Sequence, residues 1–259
     1  MNTPIENPFR PGAGHKPPYL AGRTSEQDEI RKYLSQDIIL QNVILTGLRG
    51  VGKTVLLDTF KSIALQGGWL WASENLSESA SITEGTLATR IITDIAVVTS
   101  AFMTVKQIQP LGFVPSKQVP QQPLDFEMLK AKFEATPGLV SDKLKAVLEF
   151  VWSIISSVET GKIKGIVFAY DEAQNVVDHP KQQQFPLALL LDVFQSLQRK
   201  GIPFMLILTG LPTLFPKLVE ARTYAERMFH VMFLKQLDES ASREAIEKQI
   251  GRASCRERV

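Results

Sequence analysis

Short apolar runs alternate with longer amphipathic segments along most of the chain. Five of the runs predict buried strands, at 42–46, 69–73, 163–170, 204–209 and 230–233. Apolar residues at helical spacing predict helices at 25–35, 54–66, 86–103, 140–159, 185–200 and 212–224. Because strands that alternate with helices form crossover units, the pattern predicts an α/β fold with a parallel sheet.

Residues 104–137 interrupt this alternation. The segment contains many glutamines and five prolines, and it is too long for an ordinary connection in a compact domain. We interpret it as an insertion between the second and third strands, with a small hairpin around Pro115. A mobile surface loop is the alternative interpretation.

A phosphate-binding motif joins the first predicted strand to the following helix. Residues 47–54 read Gly-Leu-Arg-Gly-Val-Gly-Lys-Thr, which is the full G-x-x-x-x-G-K-[ST] pattern. The glycines allow successive amide N–H groups to face one phosphate, and Lys53 adds a cation. The Thr54 hydroxyl occupies the position that holds Mg²⁺ in such loops. The chain is therefore predicted to bind a nucleoside triphosphate through the following residues: Gly47, Gly50, Val51, Gly52, Lys53, Thr54 and Val55.

Two adjacent carboxylates end the third predicted strand. In a parallel sheet this strand end lies beside the phosphate loop, so Asp171 is predicted to complete the magnesium site with Thr54. Glu172 is then placed to activate water for attack on the γ-phosphate. An apolar run followed by Asp-Glu is a weak signal alone, but the phosphate loop strengthens it.

Residues 250–259 change how the charge is interpreted. They read Ile-Gly-Arg-Ala-Ser-Cys-Arg-Glu-Arg-Val and resemble one reading frame of a sequencing adapter, which predicts a non-native tail after Gln249. A genuine basic tail is the alternative. Without this segment, 29 basic and 27 acidic residues become 26 of each, and the formal net charge falls from +2 to zero. A neutral domain gives no electrostatic support for DNA binding.

Composition also limits the function classes. The apolar content of 44% suits a folded domain, and no uncharged apolar stretch is long enough for a transmembrane helix. The single cysteine lies in the suspected tail, so the sequence predicts no disulfide framework or zinc cluster. We therefore expect a soluble, cytoplasmic protein without a membrane partner.

In combination, these motifs resemble the AAA+ ATPases, in the branch of the origin initiators and the STAND signalling ATPases. Residues 17–26, Pro-Pro-Tyr-Leu-Ala-Gly-Arg-Thr-Ser-Glu, are similar to the segment that contacts adenine in that branch. The resemblance implies an adenine wall at Tyr19 and Leu20, with a turn at Gly22 and Arg23. It also implies a five-stranded parallel sheet in the order 5-1-4-3-2, sandwiched by helices, with ATP and Mg²⁺ as cofactors.

The resemblance extends to two further polar residues. Thr209, at the end of the fourth strand, takes the sensor position near the attacking water or the γ-phosphate. Arg227 is the implied arginine finger toward a neighbouring subunit, with Arg222 in reserve, and a surface pair with Glu226 is the alternative. The implied domains are a nucleotide-contacting segment at 1–24, a core at 25–235 and the start of a helical lid at 236–249, with most of the lid missing.

The function implied by the resemblance is that of an ATP-hydrolysing switch that acts on an effector protein or within a homo-oligomer. Two alternatives stay open at this stage. One is an initiator-like protein whose DNA binding is controlled by ATP, against which the neutral charge weighs. The other is a STAND-type signalling or defence scaffold. Missing lid residues would also impair turnover by this chain.

Overall fold

Five parallel strands form the centre of the protein. The computed structural model describes residues 19–36, 38–76, 83–103, 122–157 and 163–256. The strands are β1 (Asn42–Gly47), β2 (Trp69–Asn75), β3 (Gly165–Asp171), β4 (Phe204–Gly210) and β5 (Phe229–Leu234). Their order across the sheet is β2-β3-β4-β1-β5, and every pair is parallel. The predicted strand order and α/β class are confirmed.

Helices connect the strands and cover the sheet. They are α1 (Thr24–Leu34), α2 (Lys53–Gln66), α3 (Glu84–Thr99), α4 (Phe126–Ala135), α5 (Val140–Ile155), α6 (Pro186–Arg199), α7 (Leu214–Ala221), α8 (Ala225–Met228) and α9 (Glu239–Arg256). The helix predicted at 212–224 ends early because Arg222 is extended, at φ −150° and ψ 116°, and a separate turn follows as α8. No helix in the described ranges is long and apolar enough to cross a bilayer.

The alternation of side chains along the strands separates two cores. One face of β1 presents Val43 and Leu45 to α1 and α2, where Phe60 and Leu56 are fully buried. The opposite face contributes Ile44 to a larger core covered by α3 to α7. Both faces of the sheet are therefore buried, as expected for near-continuous apolar runs in a parallel sheet.

The strand register brings the functional strand ends to one edge. Leu45 of β1 lies opposite Thr209 of β4, and Thr46 lies opposite Gly210. On the other side of β4, Tyr170 of β3 lies opposite Leu208. The phosphate loop after β1 and the carboxylates at the end of β3 therefore flank the tip of β4.

The segment predicted to be an irregular insertion contains the helix α4. Asp125 caps this helix by accepting a hydrogen bond from the Met128 N–H at 3.0 Å, and Leu129 is fully buried. No helix was predicted in this part of the insertion, because proline and glutamine content hid the helical spacing of Phe126, Leu129 and Phe133. The hairpin proposed around Pro115 lies outside the described residues.

The helix α9 occupies the region predicted as the start of a lid. It continues through Gln249 to Arg256, so its backbone extends into the residues predicted to be a non-native tail. Side chains are described only as far as Lys248. The origin of the tail stays a prediction.

Candidate functional site

The phosphate loop closes tightly on the end of the sheet. Gly50 and Gly52 have φ of +80° and +90°, in the left-handed region that glycine tolerates best. Gly47 is needed for a different reason, because a Cβ there would lie 2.5 Å from the Leu234 carbonyl oxygen. The Lys53 ammonium group donates to the carbonyl oxygens of Gly47 and Leu48, at 3.0 and 2.9 Å. The loop thus surrounds the lysine at the N-terminus of α2.

Asp171 is the centre of a hydrogen-bond network that joins three elements. Its Oδ2 accepts a hydrogen bond from the Thr54 hydroxyl at 2.7 Å, and its Oδ1 accepts from the Glu172 N–H at 2.8 Å. The Thr209 hydroxyl also donates to Oδ1. Asp171 is 6% exposed, so these donors fix a buried carboxylate beside the phosphate loop.

Thr209 lies at the end of β4, the place from which a sensor role was predicted for it. Its side chain is fully buried, and its hydroxyl faces Asp171. In this arrangement the hydroxyl orients the carboxylate. Contact with the attacking water stays a prediction.

Glu172 lies at the surface, directly after the buried strand. It adopts the left-handed conformation, with φ of +55°, which is uncommon for a residue other than glycine. Its carboxylate accepts a hydrogen bond from the side-chain amide of Gln174. The two neighbouring carboxylates therefore have different environments: Asp171 is buried and accepts three hydrogen bonds, whereas Glu172 is exposed.

A cavity of about 570 Å³ opens beside the phosphate loop. Three parts of the chain line it: Tyr19, Leu20, Ala21 and Arg23 before α1; Arg49, Gly50, Val51, Gly52 and Val55 at the loop; and Gln236, Leu237, Ser242 and Ala245 around α9. Gly22 does not line the cavity. With φ of +62° and a Cβ position 2.7 Å from the Ala241 Cβ, it lets the N-terminal segment approach α9 closely.

Arg23 connects the phosphate loop to the residue that follows β5. Its guanidinium donates to the Val51 carbonyl oxygen at 3.1 Å and to the Lys235 carbonyl oxygen at 2.7 Å. It also pairs with Glu26 at 3.4 Å, and the side chain is 8% exposed. Although Arg23 lines the cavity, its donors are directed at the backbone, which indicates a role in holding the loop and β5 together.

We expect Arg23→Ala to lower the free energy of unfolding by about 2 kcal/mol, because the carbonyl groups of Val51 and Lys235 lose a charged donor in a part-buried setting. Urea unfolding would measure this loss. Arg31→Ala is the matched control, since Arg31 pairs with Asp28 through side chains that are 51% and 67% exposed. That control should cost less than about 0.5 kcal/mol. Equal losses in the two variants would contradict the structural role of Arg23.

The helix α9 also bonds to the N-terminal segment across the cavity mouth. The Tyr19 hydroxyl donates to Glu244 at 2.6 Å, and Lys248 lies 4.3 Å from the centre of the Tyr19 ring. Hydrogen bonds from Lys248 and Tyr19 lower the pKa of Glu244. This cluster was not predicted from the sequence. The i, i+4 spacing of Glu244 and Lys248 was visible, but their contact with Tyr19 was not.

The two predicted arginines have different environments. Arg222 is bound to Asp192 of α6 by two hydrogen bonds of 2.9 and 2.7 Å. Burial raises the pKa of Asp192, but bonds from Arg222 and Tyr224 outweigh this effect and hold the pKa below its ordinary value. Arg227 is exposed, and within the described ranges its side chain forms no hydrogen bond or ion pair, including with Glu226. The guanidinium donors of Arg222 are therefore occupied by Asp192, whereas those of Arg227 are free at the surface.

Comparison with solved structures identifies the fold. The ORC2 protein of Aeropyrum pernix, in its ADPNP–ADP complexes, superposes with a TM-score of 0.58 and 17% identity over 92% of this chain and 54% of that chain. The ADP form of the same protein gives a TM-score of 0.55 and 14% identity, again over 92% and 54%. No protein-family model and no curated protein matches the chain.

The present chain thus spans about half the length of the ORC2 chains it matches. Identities this low establish a shared fold and nothing finer. The strand order, the phosphate loop at the end of β1 and these superpositions confirm the sequence-based prediction at that level. The chain shares the fold of the Aeropyrum pernix ORC2 protein, with a phosphate loop after β1 of its five-stranded parallel sheet.

Proposed function

We propose that this chain binds ATP with Mg²⁺ and hydrolyses it to ADP and phosphate, as a nucleotide-dependent switch. One observation carries the proposal: the Thr54 hydroxyl of the phosphate loop bonds directly to Asp171 at 2.7 Å. These residues are far apart in sequence and come from the two motifs that share magnesium in P-loop enzymes.

The residues at this point fit a magnesium ion. A hydroxyl and a carboxylate are the oxygen donors that Mg²⁺ prefers, and the ion usually completes its shell with phosphate oxygens and water. Thr54 and Asp171 would hold the ion, which would neutralise charge on the phosphates during transfer.

The remaining residues would each bind a different part of ATP or the attacking water. The loop glycines and Lys53 would bind the phosphates, with the N-terminus of α2 contributing its dipole. The adjoining cavity would take the base against Tyr19, Leu20, Val51 and Val55. Glu172, exposed beside Asp171, would orient water and accept its proton.

A Lys53→Ala substitution tests the binding half of the proposal. We expect Mg-ATP affinity to fall about 10- to 100-fold, the effect of removing a charged donor from phosphate oxygens. Isothermal titration with Mg-ATP would measure it. Lys61→Ala is the control, because Lys61 is exposed on the same helix and its removal changes the net charge equally. Equal affinity in Lys53→Ala and the parent would refute nucleotide binding at this loop.

A further inference from the structure

The connection between α7 and α8 is held by a single carboxylate on another helix. Asp192 of α6 accepts two hydrogen bonds from the Arg222 guanidinium, at 2.9 and 2.7 Å. The Tyr224 hydroxyl donates to the same carboxylate at 2.5 Å. Arg222 and Tyr224 are the first and last residues of the connection between the two helices. One side chain therefore fixes both ends of the segment that leads into α8.

The same connection supplies the carbonyl groups that begin α8. The Arg222 carbonyl oxygen accepts the Ala225 N–H at 2.9 Å. The Tyr224 carbonyl oxygen accepts the N–H groups of Arg227 and Met228, at 3.0 and 3.1 Å. Ala225 and Met228 are buried, whereas the Arg227 side chain is exposed. The backbone of Arg227 is thus hydrogen-bonded to a residue that Asp192 holds.

The two ends of α8 are anchored differently. Its C-terminal end continues directly into β5, where Phe229 pairs with Asn42 of β1. Its N-terminal end is linked to α6 through the contacts of Asp192. A helix of four residues has little stability of its own, because nucleation fixes several residues for few hydrogen bonds. The direction of α8 therefore depends on the residues that hold its ends.

We propose that Asp192 is a positioning residue, which acts through Arg222 and Tyr224 to set the direction in which α8 presents Arg227 at the surface. Arg222 then serves the reaction by holding the connection before α8, since its own donors are occupied by Asp192. For its consequence in turnover this role rests on the proposed function and on the action of Arg227 on a neighbouring subunit. Its effect on the backbone of α8 does not.

Asp192→Asn tests the contact without a large change of shape. The amide keeps one acceptor oxygen, but it replaces the other with a nitrogen that only donates and removes the charge that pairs with Arg222. We expect amide hydrogen exchange at Arg227 and Met228, followed by NMR, to become about tenfold faster, because α8 loses an anchor that involves charged groups. Tyr224→Phe removes one of the bonds to Asp192 and should give a smaller increase at the same two amides.

Asp28→Asn is the matched control, because it also breaks an aspartate–arginine pair, between Asp28 and Arg31, in an exposed part of α1. Exchange at Arg227 and Met228 should stay at the parent rate in this variant. Parent-like exchange in Asp192→Asn, or an equal acceleration in Asp28→Asn, would overturn the inference. Neither measurement needs hydrolysis, so a parent chain without turnover would contradict the proposed function while the exchange rates still decide the role of Asp192.

Turnover by mixed subunits separates positioning from a general loss of stability. In Asp192→Asn we expect kcat to fall about tenfold with KM for Mg-ATP unchanged, because the phosphate loop is untouched. Lys53→Ala subunits carry an intact Arg227, so an equimolar mixture with Asp192→Asn should hydrolyse ATP faster than the average of the two variants. A mixture of Asp192→Asn with Arg227→Ala should show no such gain, since both variants lack a correctly placed Arg227. If Arg227→Ala gains activity from Lys53→Ala subunits and Asp192→Asn does not, the positioning role is refuted.

Discussion

Glu172→Gln is expected to lower kcat for ATP hydrolysis about 10³-fold, within the range for loss of a general base. The amide has the same shape as the carboxylate but cannot accept the proton of the attacking water. Mg-ATP affinity should be unchanged, because Glu172 lies at the surface and takes no part in the Thr54–Asp171 pair. Phosphate release under single-turnover conditions and titration with Mg-ATP would separate the two effects.

The control for this variant is Glu220→Gln, an exposed glutamate on α7 that loses the same charge. It should retain the parent rate. Parent-like turnover in Glu172→Gln would contradict the assignment of Glu172 as the base. Loss of Mg-ATP binding together with turnover would instead assign the carboxylate to binding.

The structure explains why adjacent carboxylates are expected to act differently. Asp171 is buried and accepts hydrogen bonds from Thr54, Thr209 and the Glu172 N–H. These bonds fix the direction of the Asp171 carboxylate, which suits a magnesium ligand. Glu172 is exposed and is held by Gln174, so it is able to face water.

The sequence predicted those features that follow from periodicity and from local motifs. Both faces of β1, β3 and β4 are buried, so their apolar runs were continuous and easily recognised. The pairing of Thr54 with Asp171 followed from one rule of parallel sheets, because the carboxyl ends of strands share an edge. The helix α4 was missed since prolines next to it obscured its apolar spacing.

Contacts between distant segments could not be predicted in the same way. Tyr19 bonds to Glu244 across 225 positions, and Arg222 bonds to Asp192 across 30. Nothing in either local sequence specifies the partner. Gln174 illustrates a different limit of prediction. Its neighbour Glu172 was identified from the sequence, but its contact with the Leu211 N–H depends on how β4 ends. The sequence therefore identified the reacting groups better than the side chains that position them.

The contrast between Arg222 and Arg227 leads to the second large effect. An arginine that acts on a neighbouring subunit must have free donors at the surface, and Arg227 meets this requirement whereas Arg222 is held by Asp192. If Arg227 acts as an arginine finger, Arg227→Ala should lower turnover about 10³-fold while Mg-ATP binding is retained. Arg199→Ala, an exposed arginine at the end of α6, is the control and should keep the parent rate.

Mixing variants distinguishes action on a neighbour from action within one subunit. Lys53→Ala subunits have a damaged phosphate loop but an intact Arg227, whereas Arg227→Ala subunits have the reverse. If Arg227 completes the site of a neighbour, an equimolar mixture should hydrolyse ATP faster than either variant alone at concentrations where the parent assembles. A mixture no faster than the average of its components would contradict action between subunits. Parent-like turnover in Arg227→Ala alone would show that Arg227 takes no part in the reaction.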